Sequence, residues 1–248
     1  MMDVANSLLI DGKWQAADSG ETLDVINPAT EETLASVPYG GRGETKRALD
    51  AAAKALPAWR ECNAWGRADV LKRAATLLRE RADAIAKTLT LEQGKPLAEA
   101  KGEVLHSADE FEWFAEEGKR AYGEVIPHAK NEKRHITLKH PVGVVGAIAP
   151  WNFPIALMAR KVAPALAAGC TVVAKPASQT PLATIEMFKA LVDAGLPAGA
   201  ANLVIGSAAE IAEEFVTNPV CRKVSFTGST EVGKQLMRRC ADQLKHVG

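Results

Sequence analysis

The sequence predicts an α/β protein: a parallel sheet with flanking helices, preceded by short strands and a helical region. Three observations carry this. After Pro141, apolar strand-like runs alternate with helical runs of about ten or more residues, the pattern of βαβ units. Between Glu44 and Tyr122, apolar residues recur at helical spacing. The 248 residues are 47% hydrophobic and 24% charged, a globular balance in a chain long enough to bury one large core or two smaller ones.

The elements follow in order. Residues 8–38 read as short strands broken by turns, with Asp11-Gly12 as a hairpin signal and Asn27-Pro28 as a second turn. From Glu44 onward, Ala48, Ala51, Ala52, Ala55 and Leu56 keep helical spacing, and Pro57 is expected to end that helix. One longer helical run follows, from Val70 through Leu78 and Ile85 to Leu89. Its other face carries Lys72, Arg73, Arg79, Glu80 and Lys87 and reads as solvated. Gly94 and Pro96 end it and open a third run, which continues through Phe111, Phe114 and Tyr122. Residues 123–145 hold two extended segments around a charged tip, an arm that either pairs with another subunit or closes as a local hairpin. Strands are then expected at 142–149, 171–175, 202–205 and 222–226, and helices at 155–168, 181–194, 208–216 and 230–244. A parallel sheet binds ligands beyond the carboxyl ends of its strands. The loops that matter are therefore 150–154, 175–180, 206–207 and 227–230.

Composition narrows the function classes. Lys+Arg and Asp+Glu both number 30, so net charge is zero, which argues against a strongly basic nucleic-acid binder. No apolar run approaches the ~20 residues of a membrane span, and the opening, with Asp3 and Asn6, lacks the basic stretch of a secretory signal. Cys62, Cys170, Cys221 and Cys240 are scattered without metal spacing, and the five histidines form no cluster. A reducing cytoplasm is the expected compartment, and no metal, nucleic acid or membrane partner is expected.

Four loops carry candidate chemistry. Thr227-Gly228-Ser229-Thr230 offers N–H groups and hydroxyls at a helix start, which suits a phosphate; taken alone, it reads better as a Ser/Thr helix cap. The same stretch matches G-x-x-x-x-G-K through Lys234, but Gln235 stands where a P-loop needs Ser or Thr, and Glu231 crowds the phosphate position. Lys175 ends an apolar strand, where it either reaches a ribose or phosphate or emerges into solvent. Ser178 follows at a possible cap position. In Pro150-Trp151-Asn152-Phe153-Pro154 two prolines stiffen the loop around Asn152, which suits an oxyanion donor or a simple turn amide. Arg160, eight residues on, can lie on a different helix face from Ala156 and Ala163. There it is either a surface residue or a carboxylate clamp.

Taken together, these stretches resemble the aldehyde dehydrogenase superfamily. The likeness rests on Pro150-Trp-Asn-Phe-Pro154, Leu166-Ala-Ala-Gly-Cys170, Lys175-Pro-Ala-Ser178 and Phe226-Thr-Gly-Ser-Thr230. Ile26-Asn-Pro-Ala-Thr30 and Leu91-Glu-Gln-Gly-Lys95-Pro-Leu add to it upstream. Each motif alone is moderate; the ordered set is specific, and it covers the chain from about Ile10. The bacterial succinate-semialdehyde dehydrogenases are the most similar branch.

The resemblance implies a Rossmann-like fold without G-x-G-x-x-G. It implies helices and strands of the cofactor-binding domain over residues 1–122, an oligomerisation arm over 123–145 and the cofactor-binding core over 146–248. It also implies a cofactor, NADP with NAD the alternative, held by Trp151, Asn152, Lys175, Pro176, Ala177, Ser178, Gly228 and Ser229. Asn152 is the implied oxyanion donor, and Arg160 the group that meets the distal carboxylate of a short ω-oxo acid. Ser178 stands where NAD-using members commonly carry Glu, and this favours NADP because a carboxylate there would repel a 2′-phosphate. The family's nucleophilic cysteine and glutamate base belong to a second, catalytic half expected beyond Gly248. The chain alone is therefore expected to be inactive, and the complete enzyme a homo-oligomer. The competing reading is a P-loop-like nucleotide module with no redox role.

Overall fold

A computed structural model describes residues 4–248; of the opening segment, residues 1–3 lie outside the described residues. The first strands, β1 (Leu8–Ile10) and β2 (Lys13–Gln15), form an antiparallel hairpin. Asp11 and Gly12 turn it with φ of 51° and 75°, the left-handed pair that a two-residue hairpin turn needs. A second hairpin joins β3 (Thr22–Ile26) to β4 (Thr33–Pro38). There the Asn27 side chain accepts from the Ala29 N–H, as expected of an Asn-Pro turn.

Four helices follow: α1 (Arg42–Glu61), α2 (Ala64–Glu80), α3 (Ala82–Gln93) and α4 (Leu97–Gly118). Three expectations need correction here. Pro57 lies inside α1 rather than ending it, and buried Trp59 extends the helix by donating from Nε1 to the Leu166 carbonyl at 3.1 Å. The single run expected through Leu89 is two helices, broken at Arg81 (φ −95°, ψ 5°). The apolar periodicity continues on both sides of that break, so spacing does not register it. The third run stops at Gly118, and Tyr122 is exposed, with no core contact to prolong the helix. Gly94 does end α3, at φ 89°, a conformation a side chain would strain.

The arm is a local antiparallel hairpin of β5 (Glu124–Ile126) and β6 (His135–Thr137). Both strands are exposed, as are Val125, Ile136 and Leu138 on or beside them.

Beyond it lie β7 (Val144–Ile148), α5 (Pro154–Ala167), β8 (Thr171–Lys175), α6 (Leu182–Asp193), β9 (Ala201–Leu203), α7 (Ala208–Thr217), β10 (Cys221–Phe226), α8 (Thr230–Cys240) and β11 (His246–Val247). The alternation is as expected, except that α8 ends at Cys240 and not at Leu244. Leu244 is 90% exposed and so adds nothing to the apolar stripe. The next residue, Lys245, is buried and donates to the Phe215 and Asn218 carbonyls, which pulls the chain back under the sheet.

The main sheet runs β11-β10-β7-β8-β9-β1-β2, with β7 to β11 parallel and the β1–β2 hairpin antiparallel at the edge. Alternate residues of each strand enter opposite layers, as the two-residue period of a strand requires. Val145, Ala147, Val172 and Ala174 face the helices α2 to α6. Val144 and Val173 face α1, α7 and α8. This is a Rossmann-like, two-sided sheet. The chain fills β7, β8 and β9 in one direction, then crosses back to place β10 on the other side of β7. That reversal opens a crevice at the carboxyl ends of β7 and β10, the place where such sheets bind ligands.

Candidate cofactor-binding and active site

The crevice is bordered by the loops expected from the sequence. The loop after β7 carries Trp151, Asn152 and Phe153, all exposed. The loop after β10 carries Thr227, Gly228 and Ser229. The two are adjacent, for the Thr227 N–H donates to the Ile148 carbonyl at 3.1 Å. The Lys161 ammonium on α5 donates to the Thr227 hydroxyl at 2.6 Å and fixes the second loop to the helix of the first. Burial and the neighbouring Arg160 push Lys161 down to about 8. Ser229 caps α8, its side chain accepting from the Val232 N–H; its hydroxyl is thus already engaged. Gly228 is required by close approach, because a Cβ there would lie 2.4 Å from the Phe226 ring.

Lys175 ends β8 one strand away. It is buried, and burial alone pushes its ammonium down to about 8. No hydrogen bond or ion pair to it is found among the described residues. The tip of the ammonium is not fully enclosed, so it touches solvent and is open to an anionic ligand. Pro176 and Ala177 are buried in the turn that follows, closed by the Thr180 N–H to the Ala177 carbonyl. Ser178 does not cap α6. Its hydroxyl donates to the Gly206 carbonyl at 3.4 Å, and the N-terminus of α6 is capped from elsewhere. Both Glu92 oxygens accept there, from the Leu182 N–H at 2.7 Å and the Ala183 N–H at 2.8 Å. Burial outweighs those two bonds and pushes the Glu92 carboxyl up to about 8.

The same device holds the loop after β7. Its helix, α5, makes no side-chain cap of its own. Glu103 on α4 accepts instead, from the Ile155 and Ala156 N–H groups at 3.1 and 3.2 Å. Sequence reasoning missed both carboxylates. The signal was present for Glu103: it shares the stripe of Ala100, Val104, Ser107, Ala108 and Phe111, and a charge on a helix's apolar face is anomalous.

Arg160 is exposed on α5, but Ala156 and Ala163 lie four residues before and three after it and so flank it on the same side of the helix; the separate face expected for it is not found. Its Nε donates to Glu110 on α4 at 3.2 Å, and its Nη2 lies 3.1 Å from the same carboxylate oxygen and 3.3 Å from His106 Nε2. It borders a groove of about 420 Å³ shared with Lys161, Lys223 and His140. A separate cavity of about 430 Å³ lies beside Trp151, but the Asp24 carboxylate lines it and no Lys or Arg does, which makes it unsuited to a phosphate. Cys170, Cys221 and Cys240 are buried, and burial pushes all three thiols up, Cys221 to about 11. Such thiols are poor nucleophiles. Among the described residues no cluster of His, Cys, Asp or Glu could hold a metal ion, and no helix is long and apolar enough to cross a membrane.

A model of the "Aldehyde dehydrogenase family" matches residues 14–248, and the chain belongs to that family. It is 54% identical, over 96% of its length, to the succinate-semialdehyde dehydrogenase [NADP(+)] of Escherichia coli, and it covers 50% of that protein. A glutarate-semialdehyde dehydrogenase of Pseudomonas aeruginosa is 52% identical, again over 96% of the chain and 49% of the relative. Among solved structures, an E. coli NADP-dependent enzyme superposes with a TM-score of 0.97 at 52% identity, over 98% of this chain and 51% of the other. A betaine aldehyde dehydrogenase of Staphylococcus aureus in complex with NAD+ gives 0.95 at 33%, over 98% of this chain and 50% of the other. The chain thus spans about half the length of the relatives it matches.

Proposed function

We propose that this chain is the cofactor-binding half of an NADP-dependent aldehyde dehydrogenase that oxidises a short ω-oxo acid such as succinate semialdehyde. The observation that carries the reading is Lys175: a largely buried cation with no protein partner among the described residues, its tip open to solvent at the carboxyl edge of the sheet, beside the crevice between β7 and β10. It suits a phosphate-bearing dinucleotide. Lys175 and Ser178, with the Pro176-Ala177 turn between them, hold the adenosine ribose and its 2′-phosphate. Gly228 lets the pyrophosphate approach the start of α8, where Ser229 keeps the backbone N–H groups aimed outward. Trp151 and Asn152 border the nicotinamide half, which when bound accepts hydride from the substrate carbon.

Asn152 donates from its amide to the oxygen that gains charge as a nucleophile adds to the aldehyde. Arg160 has five N–H donors; Glu110 accepts from Nε and, with His106 beside Nη2, orients the fork, and the remaining N–H groups meet the substrate's distal carboxylate. The nucleophilic thiolate and the glutamate base come from the second half of the family pattern, consistent with the raised thiols in this half.

Titrating the chain with NADPH, NADH and Mg·ATP tests the reading. NADPH should bind most tightly. Binding of Mg·ATP without NADPH would restore the P-loop alternative, against which Gln235 and Glu231 already stand: they hydrogen-bond each other at 3.3 Å in the first turns of α8. The chain alone should give no aldehyde-dependent NADPH formation; a steady rise would place a nucleophile within it.

A further inference from the structure

The motif Leu91-Glu-Gln-Gly-Lys95-Pro-Leu, at the junction of α3 and α4, lies outside the crevice and has no role in the reading above. We propose that Lys95, held by Glu103, is the positioning residue for Asn152; this rests on Asn152 being the oxyanion donor.

Lys95 and Glu103 are both buried and pair at 2.5 Å. The ammonium has three donors. One goes to Glu103, and a second to the Asn152 backbone carbonyl at 2.9 Å. The same ammonium sits 4.1 Å from the centre of the Phe153 ring, a cation–π contact. Glu103 uses one oxygen for Lys95 and the other for the Ile155 and Ala156 N–H groups. One buried ion pair therefore grips the loop at Asn152, Phe153, Ile155 and Ala156. Pro150 and Pro154 supply no N–H of their own to hold it. The Asn152 side-chain amide makes no hydrogen bond among the described residues, so it stays free to donate while its backbone is fixed. A buried pair retained only for stability is poorly explained, since apolar replacements are often neutral or stabilising. A pair that fixes a donor is explained, because misplacing a catalytic group by ~1 Å costs on the order of 100-fold in rate.

The test uses Lys95→Met, Lys95→Arg and Glu103→Gln. In this chain, amide hydrogen exchange over residues 150–156 should rise about tenfold or more in Lys95→Met, with Thr171–Lys175 unchanged. Glu103→Gln keeps an acceptor for α5 and should rise less. With the family's second half joined to the chain, Lys95→Met should lower kcat by roughly 10- to 100-fold, with KM for NADP nearly constant. Lys95→Arg, which keeps a donor to the Asn152 carbonyl, should recover most of that loss. Wild-type exchange at 150–156 in a folded Lys95→Met, a rise spread evenly over the sheet, or an unchanged kcat would each overturn the proposal. If the wild type neither binds NADP(H) nor oxidises aldehydes, the functional reading fails instead, and the exchange data still decide whether Lys95 holds the loop.

Discussion

Replacing Lys175 with methionine should stabilise this chain and weaken its hold on the cofactor. The ammonium sits at the end of β8, 7% exposed, and its pKa is lowered from 10.5 to about 8 by burial. At about 1.4 kcal/mol per pH unit, the charged form carries a penalty of roughly 3 kcal/mol. The sign follows from proton counts. Between pH 8 and 10.5 the unfolded chain binds more protons at this site than the folded one, so stability rises with pH through that window. Below pH 8 the penalty is felt in full.

Methionine has similar length and no charge, so Lys175→Met should gain up to about 3 kcal/mol at pH 7. In a chain of this size that is up to roughly 6–12 °C in Tm. Calorimetric unfolding at pH 7 and pH 10 reads both effects, and the advantage should shrink at the higher pH. Saturating NADPH should nearly close the gap: at 100 times Kd it adds about 2.7 kcal/mol to the wild type, and the variant should lose most of that. A variant less stable than wild type at pH 7 without cofactor, or an advantage equal at both pH values, would refute the reasoning. Either result would mean that solvent or a partner compensates the ammonium in the folded chain.

Glu92 gives the opposite slope. Its folded pKa is raised from 4.5 to about 8, so the folded chain binds the extra proton and stability falls as pH rises across that range; Glu92→Gln should flatten that part of a Tm-against-pH curve. Arg160→Leu, in protein with both halves, should cost about 1.5–3 kcal/mol in kcat/KM for succinate semialdehyde. It should leave butanal oxidation near wild type, and an unchanged preference between the two would remove Arg160 from the substrate site. Ser178→Glu should lose NADP far more than NAD in kcat/KM, through repulsion of the 2′-phosphate. An unchanged ratio would leave Ser178 only its bond to the Gly206 carbonyl.

The alternating pattern after Pro141 made the sheet legible, because a two-sided parallel sheet needs continuous apolar runs such as Thr171–Lys175 and amphipathic helices between them. The turns at Asp11-Gly12, Asn27-Pro28 and Gly94 were legible for a local reason: each residue type suits the backbone conformation it adopts. The ends of α4 and α8 were not, since a helix continues or stops according to what its next residue can bury. Exposed Tyr122 and Leu244 find nothing to bury against.

The candidate site divides the same way. Its loops, and the residues Trp151, Asn152, Lys175, Ser178, Gly228 and Ser229, could be named from the order of motifs along the chain. The sequence also determined the family and that none of the four cysteines sits in the family's nucleophile context. Only the tertiary structure decided that Lys175 is largely buried with no protein partner among the described residues and that Ser178 leaves the α6 cap to Glu92. It also placed Lys95 and Glu103 beneath Asn152. Glu92 and Glu103 lie 90 and 52 residues from the first N–H groups they cap. No local propensity encodes such a bond, because its partners meet only when the helices pack against the ends of the sheet.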